Sequence, residues 1–472
     1  MTSIETQQVA IEQSRSALSL LHNLCLEAKS QFAQVFDQLS IPQDIKSFRN
    51  RYDTVIAQFE ALRIGSDQRL EIAQFLVLSA GNNIVWQTDA ESSTLQNFLL
   101  ASGSTKPAKL SQRVFAGKPG WHPAIEYRGE QYAGQNLGQL SQVLLQRNII
   151  SPQAATALQN IVVNLLEDEL LSLENKKIVM LGAGAEMAPT RQLLAAGADV
   201  LWVDPQPPPQ EWHEAPSLSG RLFIPDQPLD LLTNPDKVLA TILEFAQHQQ
   251  VDIGLFAYAP GKARELRLTA SMNAIVDALP EQMVGSIVML VSPTTPTQLD
   301  SHDLQQTALR LANRPWWEAV CAACGLLKPQ HLSTGKLPAV TNTVVQIQGA
   351  SYQMAQYICK TLTAEVWAGK GMRVSANTAA ISRTRSLAHP VFAAAFGGAE
   401  AFGVETMTPE QSRGLNGLLA FNDILGEQLP ELGSVRVHGG IHTLPYSLGS
   451  ALRIAAAIGF VRSPKLLRGL FG

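Results

Sequence analysis

From Lys177 onward, short, nearly continuous apolar runs alternate with stretches whose apolar positions recur every three or four residues. The runs KIVMLG, DVLWVD, RLFIP, DIGLFAYA and GSIVMLVSP predict strands buried on both faces. The stretches between them, over APTRQLLAAG, from Pro235 to Gln247 and on to Ala278, predict helices. Such alternation is the pattern of a doubly wound parallel sheet, so the chain is expected to be an α/β protein. Before Asn175 the pattern differs. Residues 1 to about 80 carry Leu18, Leu21, Leu24 and Cys25 at helical spacing. A second helical stretch runs from Leu137 to Leu173, its last helix opened by the Ser151-Pro152 cap. The Gly- and Pro-rich segment FAGKPGWHPAIEYRGEQYAG between them reads as a surface connection with a small hairpin rather than as a loop covering a site. The expected division is a mainly α-helical N-terminal domain, 1–175, followed by a sheet domain, 176–472, with an insertion at about 294–340 and a basic, apolar C-terminal tail.

The first predicted strand ends in Gly182 and Gly184, and Asp204 closes the second. A tight glycine turn lets backbone N–H groups approach a pyrophosphate, and an acidic residue about 20 positions later accepts hydrogen bonds from an adenosine ribose. A Rossmann-type dinucleotide-binding domain follows from that spacing, with Glu186 and Met187 inside the turn and Ala257, Tyr258 and Ala259 at the neighbouring strand end lining the same cofactor. Met187 stands where a third glycine would complete the turn. S-adenosylmethionine also carries an adenosine ribose, and the turn alone does not separate its methyltransferases from dehydrogenases.

Further on, GASYQMAQYICKTLTAEVWAGKGMRVSANTAAISRT has Tyr352 opening an apolar helix, a following strand, and Thr384 after it. In segment order and local pattern, residues 177–385 resemble the short-chain dehydrogenase/reductase superfamily. The resemblance implies NAD(P)-dependent hydride transfer between nicotinamide and a carbonyl or hydroxyl carbon. Tyr352 would exchange the substrate proton, Ser292 would orient the substrate, and Thr384 would contact the nicotinamide amide. The family's lysine, four residues after the tyrosine, is Gln356 here, which cannot supply a positive charge; Lys360, one turn on, is the candidate substitute. Glu186 brings a carboxylate close to the expected pyrophosphate. Asp204 would meet a 2′-phosphate with like charge, so NAD is expected over NADP. Tyr258 and Lys262 share the Tyr-x-x-x-Lys spacing, but Pro260 and Gly261 between them read as a strand-end loop.

Composition narrows the classes. The 472 residues are 46% hydrophobic and 16% charged, with a net charge of -4, which describes a globular chain without the basic excess of a general nucleic-acid binder. Four cysteines suit a reducing, cytoplasmic compartment, and Cys321 and Cys324, lacking a second pair, predict small buried helix residues and no metal site. His438 and His442 in VHGGIHTLPY read as a glycine turn with solvent-facing histidines, and Trp316-Trp317 as an anchor of the insertion. After Glu431 no acidic residue occurs, whereas Arg436, Arg453, Arg462, Lys465 and Arg468 do. That tail reads as a packed terminal helix, either on the sheet or in a homo-oligomer interface, or else as a peripheral membrane contact. The substrate expected is a small or lipid-like carbonyl or hydroxyl compound. The alternatives left open are a methyltransferase and a non-catalytic binding or scaffold protein.

Overall fold

The computed structural model describes residues 3–6, 14–87, 92–166, 168–259, 263–330, 338–383 and 390–468. A small antiparallel sheet pairs β1 (Ser3–Thr6), β2 (Ile84–Gln87) and β3 (Ser92–Thr94). The central sheet has seven strands: β4 (Leu110–Val114), β7 (Lys177–Leu181), β8 (Asp199–Val203), β9 (Arg221–Pro225), β10 (Val251–Leu255), β11 (Val284–Val291) and β12 (Val374–Thr378). Between β4 and β7, β5 (Ala124–Tyr127) and β6 (Glu130–Ala133) form the expected hairpin. Arg128 and Gly129 both have positive φ at its tip, as a tight two-residue turn requires.

The spatial order is β12-β11-β10-β7-β8-β9-β4, with β4 antiparallel to β9 and all other pairs parallel. The chain therefore builds outward from β7 through β8 and β9, then returns to β7's other side with β10. That reversal lies at the C-terminal ends of β7 and β10, the place where loops of doubly wound sheets turn to opposite faces and form a ligand crevice. Register aligns the ends: Leu181 pairs with both Val203 and Leu255, while β11 runs on to pair Val291 with Thr378.

Alternate residues of β7 face opposite cores. Ile178 and Met180 pack with Leu137, Leu158, Leu418 and Phe421, whereas Val179 and Leu181 pack with Ile242, Ile275 and Trp367. Both faces are dry, so the strands read as continuous apolar runs. The N-terminal residues do not form a separate core: Ile84, Trp86, Leu95 and Leu99 share a cluster with Val179 and Val251, and Leu21, Phe59 and Leu76 share one with Met354 and Ile358. A buried ion cluster fastens the latter contact. Arg63 Nε lies 2.7 Å from Glu60 and its Nη2 2.8 Å from Glu365, while the Tyr357 hydroxyl donates to Glu60 at 2.6 Å. Ser151 caps the helix Pro152–Val163, as its sequence predicts, by accepting from Ala154 N. Among the described residues no helix is long and apolar enough to cross a membrane.

Candidate functional site

The turn after β7 lies at the crevice, but its glycines serve the protein before any ligand. Gly182 has φ +86°, and a Cβ there would overlap the Ala257 backbone at the end of β10. Ala257 N in turn donates to Leu181 O at 2.8 Å. Gly182 and buried Ala257 are thus a backbone-to-backbone contact, not a ligand cradle. The helix expected over APTRQLLAAG starts only at Thr190 and ends at Ala195. The intervening residues wind through tight turns, with Ala185 N bonded to Gly182 O and Ala188 N to Ala185 O. No helix N-terminus stands beside Gly184, so the expected helix-end contribution to anion binding is missing there.

Asp204 lies across from the turn. Its Oδ2 accepts from Gly184 N at 3.0 Å and its Oδ1 from Gln206 N at 2.9 Å. Partial burial raises its carboxyl above the usual carboxylate range against the pull of those two N–H groups. Each oxygen still has a lone pair to offer. Tyr258, half-exposed at the end of β10, has its phenol pushed up to about 12 by burial and by the Glu265 and Glu186 carboxylates. The half-buried Glu186 thus lies close enough to Tyr258 for its charge to be felt there. Met187 is half-buried, with Ser382 Oγ 3.8 Å from its sulfur. Arg413, with no motif around it, lays its guanidinium on this turn: Nε donates to Glu186 O at 2.8 Å. It comes from the helix Pro409–Leu425, whose Gly417 packs against Pro189.

On the β11 side the structure brings together residues that lie far apart in the chain. The helix Ala350–Gln356, which carries Tyr352, reaches Ser292 through Gln356 Oε1, 2.9 Å from Ser292 N, and sets Tyr352 near the Ser292 side chain without a hydrogen bond between the two, so the intervening insertion does not part them. Ser292 Oγ lies 2.8 Å from Thr294 Oγ1, and Thr294 Oγ1 donates to Gln348 Oε1 at 2.8 Å. Because the Thr294 proton is used on Gln348, Ser292 donates to Thr294 Oγ1, and its oxygen accepts from Thr294 N at 3.3 Å. Burial raises the Tyr352 phenol far above its ordinary value, and the Tyr258 and Glu265 charges add to the rise, with Ser292 opposing.

Gln356 and Lys360 do not act as the family pattern implies. Both ends of the buried Gln356 amide are engaged, Oε1 by Ser292 N at 2.9 Å and Nε2 by Glu265 Oε1 at 2.9 Å. At 2% exposure the amide is turned inward, where it braces Ser292. Lys360, inside a widened π-helical turn over Tyr357–Leu362, is buried and paired with Glu265 Oε1 at 3.3 Å. Its charge is answered by a carboxylate and exerts no downward pull on the Tyr352 phenol. Glu265 Oε2 also accepts from Ala259 N at 3.2 Å, which makes this carboxylate the hub between β10, β11 and the Tyr352 helix. Its signal was weak: one acidic residue in the first turn of the helix Arg264–Ala278. Thr384, and the Pro260, Gly261 and Lys262 stretch, lie outside the described residues.

The region beyond Ser292 departs from expectation. His438 and His442 are buried and stacked, 5.1 Å apart at 11°, instead of facing solvent. His442 Nε2 must donate to Pro293 O at 2.9 Å, since a carbonyl only accepts, and His438 Nδ1 accepts from Gly440 N. An accepting Nδ1 carries no proton, so the His438 ring is neutral, and burial keeps the His442 ring neutral as well. Burial comes first in holding His442 down at about 3 and His438 well below its ordinary value; His442 and Arg436, then Arg310 and His302, also press on His438. Arg436 is no surface charge either: it is buried between Asp300 and Asp303. With His302 these two acids make the one group of metal-ligand type among the described residues, and the guanidinium already fills its cation position. The tail helix Leu448–Arg462 packs on the helix Pro390–Gly398, not on the sheet. Trp317 stacks edge-on against Phe402 whereas Trp316 is exposed. Cys321 is half-buried and Cys324 exposed, against the expectation of two buried thiols.

No protein-family model matches the chain, and no curated protein sequence matches it either.

Proposed function

We propose that this protein is a nicotinamide-dependent oxidoreductase of the short-chain dehydrogenase type, acting as a carbonyl reductase, with NAD(H) as its cofactor. The observation that carries the reading is the joining of Ser292 to the Tyr352 helix, through Ser292 N and Gln356 Oε1, at the same sheet edge as the Gly182–Asp204 turn. The strand order supports it. Counting the parallel strands from β7, the sheet reads 3-2-1-4-5-6, the order of doubly wound dinucleotide-binding sheets, with the crevice between strands 1 and 4.

The residues present fit a dinucleotide at its adenosine end, where half-buried Asp204 keeps acceptor capacity for ribose hydroxyls. A bound nicotinamide would supply the hydride to a carbonyl carbon. The protein's own part is the proton. The raised phenol keeps Tyr352 protonated through neutral pH, so it donates its O–H proton to the carbonyl oxygen as the carbinol forms. The Ser292–Thr294–Gln348 chain fixes the Ser292 hydroxyl beside the Tyr352 helix. The pairing of Lys360 with Glu265 favours a second reading, a nucleotide-binding protein without catalysis.

Equilibrium titration with NADH, NADPH and S-adenosylmethionine tests the assignment. NADH is expected to bind tightest, and Asp204→Ala to weaken it by about 10-fold, the worth of a hydrogen bond to a charged group. Tighter binding of NADPH or of S-adenosylmethionine overturns the cofactor assignment. Tight NADH binding with no carbonyl reduction across a substrate panel supports the second reading.

A further inference from the structure

Resting on that dinucleotide reading, we propose that Arg413 is the phosphate clamp of the site, binding the pyrophosphate that the turn after β7 is not built to hold alone. The crevice carries the Asp204 and Glu186 carboxylates, and the helix that follows the turn is short and begins six residues past Gly184. A pyrophosphate placed there needs a cation, because two carboxylates without one would repel it. Arg413 is that cation. Its Nε is committed to Glu186 O at 2.8 Å, which fixes the plane of the guanidinium against the turn. Its two terminal nitrogens have no hydrogen-bond or ion-pair partner among the described residues. A guanidinium held by one donor with its fork free is suited to two phosphate oxygens, geometry that a lysine ammonium cannot reproduce.

A second observation points to a ligand on the same helix. Asn416, three residues on and 1% exposed, has neither its amide nitrogen nor its oxygen paired, although buried polar groups are nearly always satisfied. One residue further, Gly417 touches Pro189 and Gln192 at the end of the turn. The stretch Arg413–Gly417 thus runs along the turn with one cationic and one amide group unspent.

The test is calorimetric titration of the full chain with NADH, ADP and adenosine, comparing wild type with Arg413→Gln and Arg413→Lys. Arg413→Gln is expected to weaken NADH and ADP by about 10- to 100-fold while adenosine, which has no phosphate, changes by less than about twofold. Arg413→Lys, which keeps the charge and loses the fork, should fall between, and the salt dependence of ADP binding should flatten in Arg413→Gln. An equal loss for adenosine and ADP would reduce Arg413 to a brace of the turn. NADH affinity unchanged in Arg413→Gln overturns the clamp and leaves the dinucleotide reading standing, whereas a wild type that binds none of the three overturns that reading and the clamp with it.

Discussion

At the scale of single residues, Tyr352 and Glu265 are where the proposed chemistry is tested. Tyr352→Phe removes one hydroxyl and little volume. Once a carbonyl substrate is in hand, its turnover should drop by about 10²- to 10⁴-fold, the usual share of a general acid, with NADH affinity unchanged. Turnover within a few-fold of wild type would remove Tyr352 from the mechanism. Glu265 acts through others: it holds Lys360, Gln356 and the Ala259 N–H in one buried knot. Glu265→Gln leaves an ammonium buried without its counter-charge, which costs about 3–5 kcal/mol in such cases. Urea unfolding should show that loss as a lower midpoint at unchanged slope, and a loss below about 1 kcal/mol would mean the Lys360 charge is solvated after all. This knot shows why substitution of the family lysine by Gln356 does not simply subtract a charge. The amide bridges Ser292 and Glu265 in a way a lysine, with no acceptor, could not.

Elements show what was legible in the sequence and what was not. The strands KIVMLG, DVLWVD, RLFIP and GSIVMLVSP stand where the apolar runs put them, because a strand buried on both faces leaves its mark in consecutive residues. The β4–β9 pairing was invisible, since β4 alternates half-buried with exposed positions and its partner lies far along the chain. Ser292, Tyr352 and Asp204 were legible as residues with a pattern around them. Arg413 and Glu265 were not, since their roles arise from contacts across 227 and 91 residues. His438 and His442 differ from expectation for a related reason: a glycine turn suggests solvent, whereas distant residues of the insertion, Arg310 and Gln330, together with Ile149 and Glu405 bury it. The tail is a similar case. Its small residues serve a helix crossing in which a Cβ on Gly459 would overlap the Ala394 carbonyl, and one on Gly398 the Ala455 carbonyl. Gly459→Ala should therefore destabilise by about 1–3 kcal/mol through overpacking. Gly449→Ala, on the same helix with nothing near its Cβ, should be neutral or slightly stabilising; equal effects of the two in thermal unfolding would contradict this packing.

The whole molecule carries a pH dependence in its buried histidine pair. Folded, His442 titrates at about 3 and His438 far below its ordinary value; unfolded, each takes a proton near 6.5. Between those limits the unfolded chain binds more protons. The pair's contribution is complete above about pH 6.5 and is lost as pH falls toward 3, at about 1.4 kcal/mol per unit for each histidine. His442→Gln, which retains a donor for Pro293 O and does not titrate, should flatten the decline in stability between pH 6.5 and 5 by about one proton's worth. An unaltered slope in urea unfolding would show that His442 is already protonated in the fold. The seventh strand has a consequence of another kind. β4 has β9 as its one neighbour in the sheet, yet on a growing chain β9 is made roughly a hundred residues later, an interval on the order of 5–20 s at usual translation rates. For that time Leu110–Val114 is an unpaired strand outside the ribosome, and β7 and β8 are complete before the sheet's far edge can close. The assembly of this sheet is thus timed by the synthesis of β9, whose arrival converts a waiting N-terminal segment into the border of the seven-stranded sheet.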